Sequence, residues 1–186
     1  MSPIKFGTDG WRAIMDKEFT FENVELVAQA FSDYLRAEKT QKGAKNAPAI
    51  VIGYDYRKNS ENYAKSFAEV LNANGIKVLL SSQACPTPAV SFSIVDQSLD
   101  AGIVITASHN PAGYNGIKIK TDFGGSAEKA ITEAVEKWIG KNPVRKKPFT
   151  AENPTIVDLN QKYLEFLNFP ASTVLIFFCP QAPLPA

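Results

Sequence analysis

The single histidine of this 186-residue chain lies in the segment Thr106-Ala107-Ser108-His109-Asn110-Pro111-Ala112-Gly113-Tyr114-Asn115-Gly116-Ile117-Lys118. Hydroxyl, imidazole and amide groups are crowded together here between two apolar runs, the setting in which a rigid scaffold presents a loop. A serine hydroxyl on such a loop is open to a substrate. Successive backbone N–H groups, with Lys118 nearby, could hold an anion there. Residue types alone leave a plainer reading open: Ser-His-Asn-Pro is also a turn sequence, because Ser and Asn bond locally to the backbone and Pro fixes φ. An acyl-transfer triad fits worse, since no GxSxG elbow carries Ser108 and the adjacent side chains Ser108 and His109 need not face each other. A Walker pattern with its Lys-Ser/Thr pair is also missing from the sequence.

The elements that must position this loop are readable from periodicity. Phe21, Val24, Val27, Ala28, Phe31, Tyr34 and Leu35 recur at three- and four-residue spacing, which predicts an amphipathic helix over Thr20–Lys39 with Thr20 as N-cap. Ala49–Tyr54 reads as a buried strand, Ser60–Asn74 as a helix stopped by Gly75, and Ile76–Leu80 as the next strand. A short helix is expected to open at Pro88 and run to Asp96. Ala101–Thr106 is a further buried strand, Gly116–Lys120 alternates as a half-exposed one, and Ser126–Ile139 is a helix with Ile131, Val135 and Trp138 inward. Helices alternating with strands predict an α/β fold, a three-layer α/β/α sandwich with a mixed, mostly parallel sheet. The short gap between the last two strands supplies the antiparallel member.

Residues 1–149 are expected to form this domain, and 150–186 a linker helix with an atypical tail. Pro143–Pro154 reads as linker and Asp158–Asn168 as a helix. From Pro170 onward there is no charge, and Val174–Cys179 is wholly apolar. Such a run is an aggregation liability unless covered. It is also far too short to span a bilayer.

Composition excludes several classes. Twenty Lys and Arg against 19 Asp and Glu leave a net charge of +1, which argues against a general nucleic-acid binder. Cys85 and Cys179 are far apart, so neither a zinc site nor a disulfide framework is expected, and a reducing cytoplasm is the simpler setting. The first residues contain no apolar signal-peptide core. No nucleic-acid or membrane partner is expected.

Thr106–Pro111 followed by Gly116-Ile117-Lys118 resembles the active-site loop of the α-D-phosphohexomutases, the phosphoglucomutase/phosphomannomutase superfamily. Phe6-Gly7-Thr8-Asp9-Gly10-Trp11-Arg12 is similar to that family's N-terminal FGTxGxRG signature, with Ala13 where many members have Gly. Gly53-Tyr54-Asp55 with Arg57 and Ser60, and Pro86-Thr87-Pro88, match in the same order. The likeness runs to about residue 165 and corresponds to the family's first domain.

The resemblance implies that Ser108 carries a phosphoryl group, passes it to a hexose phosphate and receives it back from a bisphosphate intermediate. A phosphoserine brings about −1.5 to −2 charges and needs donors and cations around it, for which Lys118, Arg12 and His109 stand ready. Phosphoryl transfer has a loose transition state, so positioning and charge matter more than a base beside the serine. In this reading His109 orients the loop or donates to the phosphate. Lys118 is a proton shuttle or an electrostatic clamp, and Arg12 is a fork for phosphate oxygens. Asn110 belongs to the phosphate side, where with Thr106 it fixes the loop. Ser60 is expected to be an N-cap, with Arg57 a surface charge near it, and Thr87 and Pro88 a turn into a helix. The implied cofactors are Mg²⁺, bound through the phosphate on Ser108, and a hexose bisphosphate activator. The family's aspartate-rich metal loop does not occur in the chain. The expectation is therefore a nucleophile-bearing domain without mutase turnover of its own. The alternative is a non-catalytic module that associates, with a partner or with itself, through an uncovered face. The sugar is not written in this sequence.

Overall fold

A computed structural model describes residues 4–7, 10–43, 46–150 and 153–167. The elements run β1 (Trp11–Ile14), α1 (Phe21–Gln41), β2 (Ala49–Tyr54), α2 (Ser60–Ala73), β3 (Lys77–Ser81), α3 (Thr87–Asp96), β4 (Ala101–Ile105), β5 (Tyr114–Thr121), α4 (Lys129–Glu136), β6 (Thr155–Val157) and α5 (Leu159–Phe166). The strands form one sheet in the order β1-β5-β4-β2-β3-β6. The pairs β4·β2, β2·β3 and β3·β6 are parallel, while β5 runs antiparallel to both β4 and β1. The mixed, mostly parallel three-layer sandwich is the predicted fold.

Each face of the sheet is covered because each central strand is apolar on both sides, as parallel strands under helices must be. Ile50, Ile52, Ile103, Ile105, Ile117 and Ile119 pack beneath α1, α2 and α4. Val51 and Val104 pack on the opposite face with Ala89, Val90 and Ile94 of α3 and Leu159 of α5. Thr20 caps α1 as expected, its hydroxyl accepting the Asn23 N–H at 3.3 Å. Asp158 caps α5, accepting from the backbone of Asn160 and Gln161.

Four local expectations are corrected. The strand expected at Gly116–Lys120 to be half-exposed is Tyr114–Thr121 and buried along both faces, because it lies between β1 and β4 rather than at an edge. Two strands carry no sequence signal of their own. β1 is only four residues long, and β6 is a three-residue edge between the linker that ends at Pro154 and the helix expected from Asp158. The helix expected over Ser126–Ile139 is confined to Lys129–Glu136. Ser126 is taken instead by an antiparallel bridge to Lys120, whose Nζ donates to the Ser126 hydroxyl at 3.0 Å. Ser60 is the first helical residue rather than the cap, which is Asn59 in the left-handed conformation. The tail after Leu167, with Val174–Cys179, lies outside the described residues, as do Thr8 and Asp9 of the N-terminal signature. Among the described residues no helix is long and apolar enough to cross a membrane.

Candidate active site

Three strand ends meet at the loop between β4 and β5. Alternation along β1 sends Trp11 and Ala13 into the core and Arg12 to the opposite face. Trp11 is fixed by stacking on Phe19 at 4.8 Å, and Phe19 meets Tyr63 of α2 edge-on at 4.9 Å. Arg12 pairs in register with Gly116, and Lys118 with Val104. Paired and alternate residues share a face, so Arg12 and Lys118 stand on the same side of the sheet. Gly116 makes room for them: a Cβ there would lie 2.7 Å from the Thr106 carbonyl oxygen and 2.9 Å from Arg12 Cγ. Gly10, at φ +110, is under a similar constraint, since a Cβ would fall 2.3 Å from the Ile117 carbonyl oxygen.

Ser108 is exposed at the loop and has φ 56, a left-handed conformation unusual for a residue with a side chain. Its N–H donates to Thr106 Oγ1 at 2.9 Å, and its Oγ lies 3.3 Å from Nδ1 of His109. The two side chains that adjacency alone did not bring together thus do face each other. Arg12 Nη1 donates to Asn110 Oδ1 at 3.1 Å, which ties β1 to the loop. Neither Arg12 nor Lys118 bonds Ser108 directly. Lys118 is buried to 9% exposure, an unusual place for a lysine that serves only solubility.

Beneath the loop lies a polar layer. Thr106 Oγ1 donates to Asp55 Oδ2 at 2.6 Å, while Asp55 Oδ1 accepts from the Arg57 backbone N–H at 2.9 Å and the Ser60 hydroxyl at 2.7 Å. Asn115, fully buried, donates to Ser60 Oγ at 2.9 Å and accepts the Gly116 N–H at 2.8 Å. Arg57, expected as a surface charge, is instead turned inward with a side chain 14% exposed, against Asp55 and the loop carbonyls. The sequence signal was present in the spacing of Asp55, Arg57 and Ser60. What it lacked was any sign that residues fifty positions later would lie against the guanidinium. Beside this layer, burial pushes the Tyr54 phenol up to about 12, helped by the charge of Glu61, and burial also raises the Cys85 thiol. Cys85 bonds through its N–H to the Tyr54 carbonyl at 2.9 Å.

Among the described residues the side chains do not by themselves make a magnesium site. Among the described residues no three His, Cys, Asp or Glu side chains converge as ligands. Asp55, the carboxylate built into the loop's support, is occupied by Thr106, Ser60 and Arg57. A hydroxyl aimed outward, a flanking imidazole and two cations on one sheet face are suited to an anionic group carried on Ser108.

Fold and site together define an α/β/α domain of the phosphohexomutase kind. Residues 3–145 match the family model of the phosphoglucomutase/phosphomannomutase alpha/beta/alpha domain I, and the chain belongs to that family. It is 35% identical over 140 residues to a phosphoglucosamine mutase of Arthrobacter sp. (strain FB24), covering 75% of this chain and 30% of the relative. To a phosphoglucomutase of Staphylococcus aureus (strain MRSA252) it is 36% identical over 141 residues, 74% of this chain and 24% of the relative. A crystal structure from Thermus thermophilus, provisionally named a phosphomannomutase, superposes with a TM-score of 0.79 at 30% identity. That match covers 90% of this chain and 36% of the other. The chain thus spans about 30% or less of the length of these curated relatives.

Proposed function

We propose that this chain carries the phosphoryl-bearing serine of a phosphohexomutase, the enzyme class that interconverts hexose 1-phosphate and hexose 6-phosphate. One observation carries the reading. Ser108 is held in a left-handed conformation at the outer side of a loop, with its hydroxyl against His109 and its backbone tied to Thr106. A strained residue that the surroundings over-determine is a mark of a functional position.

In the forward step the Ser108 phosphate passes to a hydroxyl of the sugar phosphate. The P–Oγ bond breaks, a bond from phosphorus to the sugar oxygen forms, and the proton of the sugar hydroxyl ends on Ser108 Oγ. Lys118, on the same sheet face as Arg12, is the group of this chain suited to relay that proton, giving one to Oγ as it takes one from the sugar, or to hold the charge. Arg12, anchored through Asn110, offers a planar fork to the phosphate oxygens. The imidazole of His109 supports Oγ and the phosphate on it. The return step reverses these events with the sugar turned end for end.

Magnesium and a hexose bisphosphate activator belong to the same proposal. The ion would meet a phosphate oxygen on Ser108, and its carboxylate ligands would have to come from outside the described residues. A divalent ion held by one phosphate and water alone would bind weakly.

The test is labelling. The 186-residue chain is incubated with glucose 1,6-bisphosphate and Mg²⁺ over hours, and tandem mass spectrometry reads where the phosphoryl group lies. The expected result is a single phosphate on Ser108 that Ser108→Ala abolishes. A label on another residue, or none after a day, overturns the proposal.

A further inference from the structure

Arg57 lies on the turn between β2 and α2 and directs its whole guanidinium into protein. Its Nη1 donates to the carbonyls of Pro111 at 2.8 Å and Tyr114 at 3.1 Å. Nη2 donates to the carbonyls of Ser108 at 2.9 Å and of Asn110, and Nε lies 3.3 Å from Asp55 Oδ2. A guanidinium has five N–H groups in a fixed fork, and here it meets five acceptors. Four of them are main-chain oxygens of one seven-residue stretch, the loop that presents Ser108.

This arrangement has a directional consequence. Within a planar trans peptide the carbonyl and the N–H point opposite ways. Turning the Ser108 and Pro111 carbonyls toward Arg57 therefore turns the N–H groups of His109 and Ala112 away from it. The Asn110 carbonyl precedes a proline, which has no N–H to turn. The Asn110 N–H itself is taken by the Ala107 carbonyl at 3.1 Å, so His109 and Ala112 are two separate outward donors on either side of a closed turn. The same grip opposes relaxation of Ser108 from its left-handed conformation, since that would rotate the Ser108 carbonyl off Nη2.

We infer that Arg57 is a positioning residue for Ser108: it holds the loop carbonyl-inward, so that the serine and the outward N–H groups face an incoming phosphate that Arg57 itself does not touch. The inference rests on the reading of Ser108 as phosphoryl carrier. Lysine cannot replace Arg57, because an ammonium is a point charge with three donors and cannot bridge four carbonyls.

Two measurements on the full chain test it. In the first, glucose 1,6-bisphosphate phosphorylates Ser108. The bond from phosphorus to the sugar oxygen breaks, P–Oγ forms, and the serine proton ends on the sugar oxygen. Arg57→Lys is expected to slow this labelling by roughly 100-fold, the scale of a small misplacement of a reacting group. Its urea midpoint should stay near that of the parent. Guanidinium ion at sub-denaturing concentration should restore Arg57→Ala by about tenfold or more, consistent with the lost group being a planar fork. Labelling of Arg57→Lys at the parent rate overturns the inference. The second measurement needs no chemistry: backbone hydrogen exchange over residues 107–114. Exchange there should be at least about tenfold faster in Arg57→Lys, while the amides of α1 and α2 are unchanged, as for a local opening. Equal protection in the two proteins overturns the inference. If the parent chain itself takes no label, the phosphoryl-carrier reading fails, and exchange alone decides whether Arg57 sets the loop.

Discussion

Thr106 and Asp55 are joined by a 2.6 Å hydrogen bond that ties the end of β4 to the end of β2 directly beneath the serine loop. The threonine hydroxyl uses both its capacities, giving its proton to the carboxylate and accepting the Ser108 N–H. Thr106→Val keeps the shape and removes both bonds, leaving a partly buried carboxylate and an amide short of partners. Urea denaturation should register a loss of about 1–3 kcal/mol, the cost of leaving such groups unsatisfied. Hydrogen exchange of the Ser108 amide should accelerate in the same variant.

Gly116 is required by contact rather than by conformation. In Gly116→Ala the new methyl would press on the Thr106 carbonyl and the Arg12 stem, and the first of these is backbone that cannot swing aside. Overpacking of this kind costs typically about 1–3 kcal/mol. A reduced thermal midpoint is expected, together with loss of the Arg12–Asn110 bond, seen as altered side-chain guanidinium resonances of Arg12 by NMR.

Alkaline stability should be set in part by Tyr54. Its phenol titrates near 10 in the unfolded chain and at about 12 in the folded one. Between those values the unfolded state has lost the proton that the folded state keeps, so stability falls as pH rises. The contribution is complete below pH 10 and is lost progressively toward pH 12, at no more than about 1.4 kcal/mol per pH unit. Tyr54→Phe should flatten the decline of the urea midpoint over that window, though not abolish it, because Tyr34 and Tyr63 are shifted the same way.

Cys85 should be inert while the domain is folded. It is 5% exposed, and burial raises its thiol, so little thiolate is available to an alkylating agent. Iodoacetamide at about pH 7.5 should leave the Cys85 peptide unmodified in the native protein and modify it fully in urea, read by peptide mass spectrometry. Rapid native alkylation would contradict the packing of Cys85 against α3 and α5.

The elements with strong periodicity were legible. α1, β2, α2 and β4 lie within two residues of the predicted Thr20–Lys39, Ala49–Tyr54, Ser60–Asn74 and Ala101–Thr106. What escaped was decided by partners distant in sequence. The residues of β1 and β6 form strands because β5 and β3 offer them open edges, which no local pattern records. The half-exposed reading of β5 came from Lys118 and Lys120 alternating with Ile117 and Ile119. Alternation of that kind means a wet face only when the second face meets water, and here both lysines are buried. At the site, Ser108, His109, Asn110, Arg12 and Lys118 were legible as a motif. The role of Arg57 was not, because its partners are main-chain oxygens and a carbonyl has no letter in a sequence.

That same property bears on how such a site can change over generations. A guanidinium that recognises only backbone is indifferent to what side chains the loop displays. Substitutions at exposed positions such as Ala112 can then accumulate without loosening the anchor, and new preferences for a ligand can be tried out on a foundation that stays put.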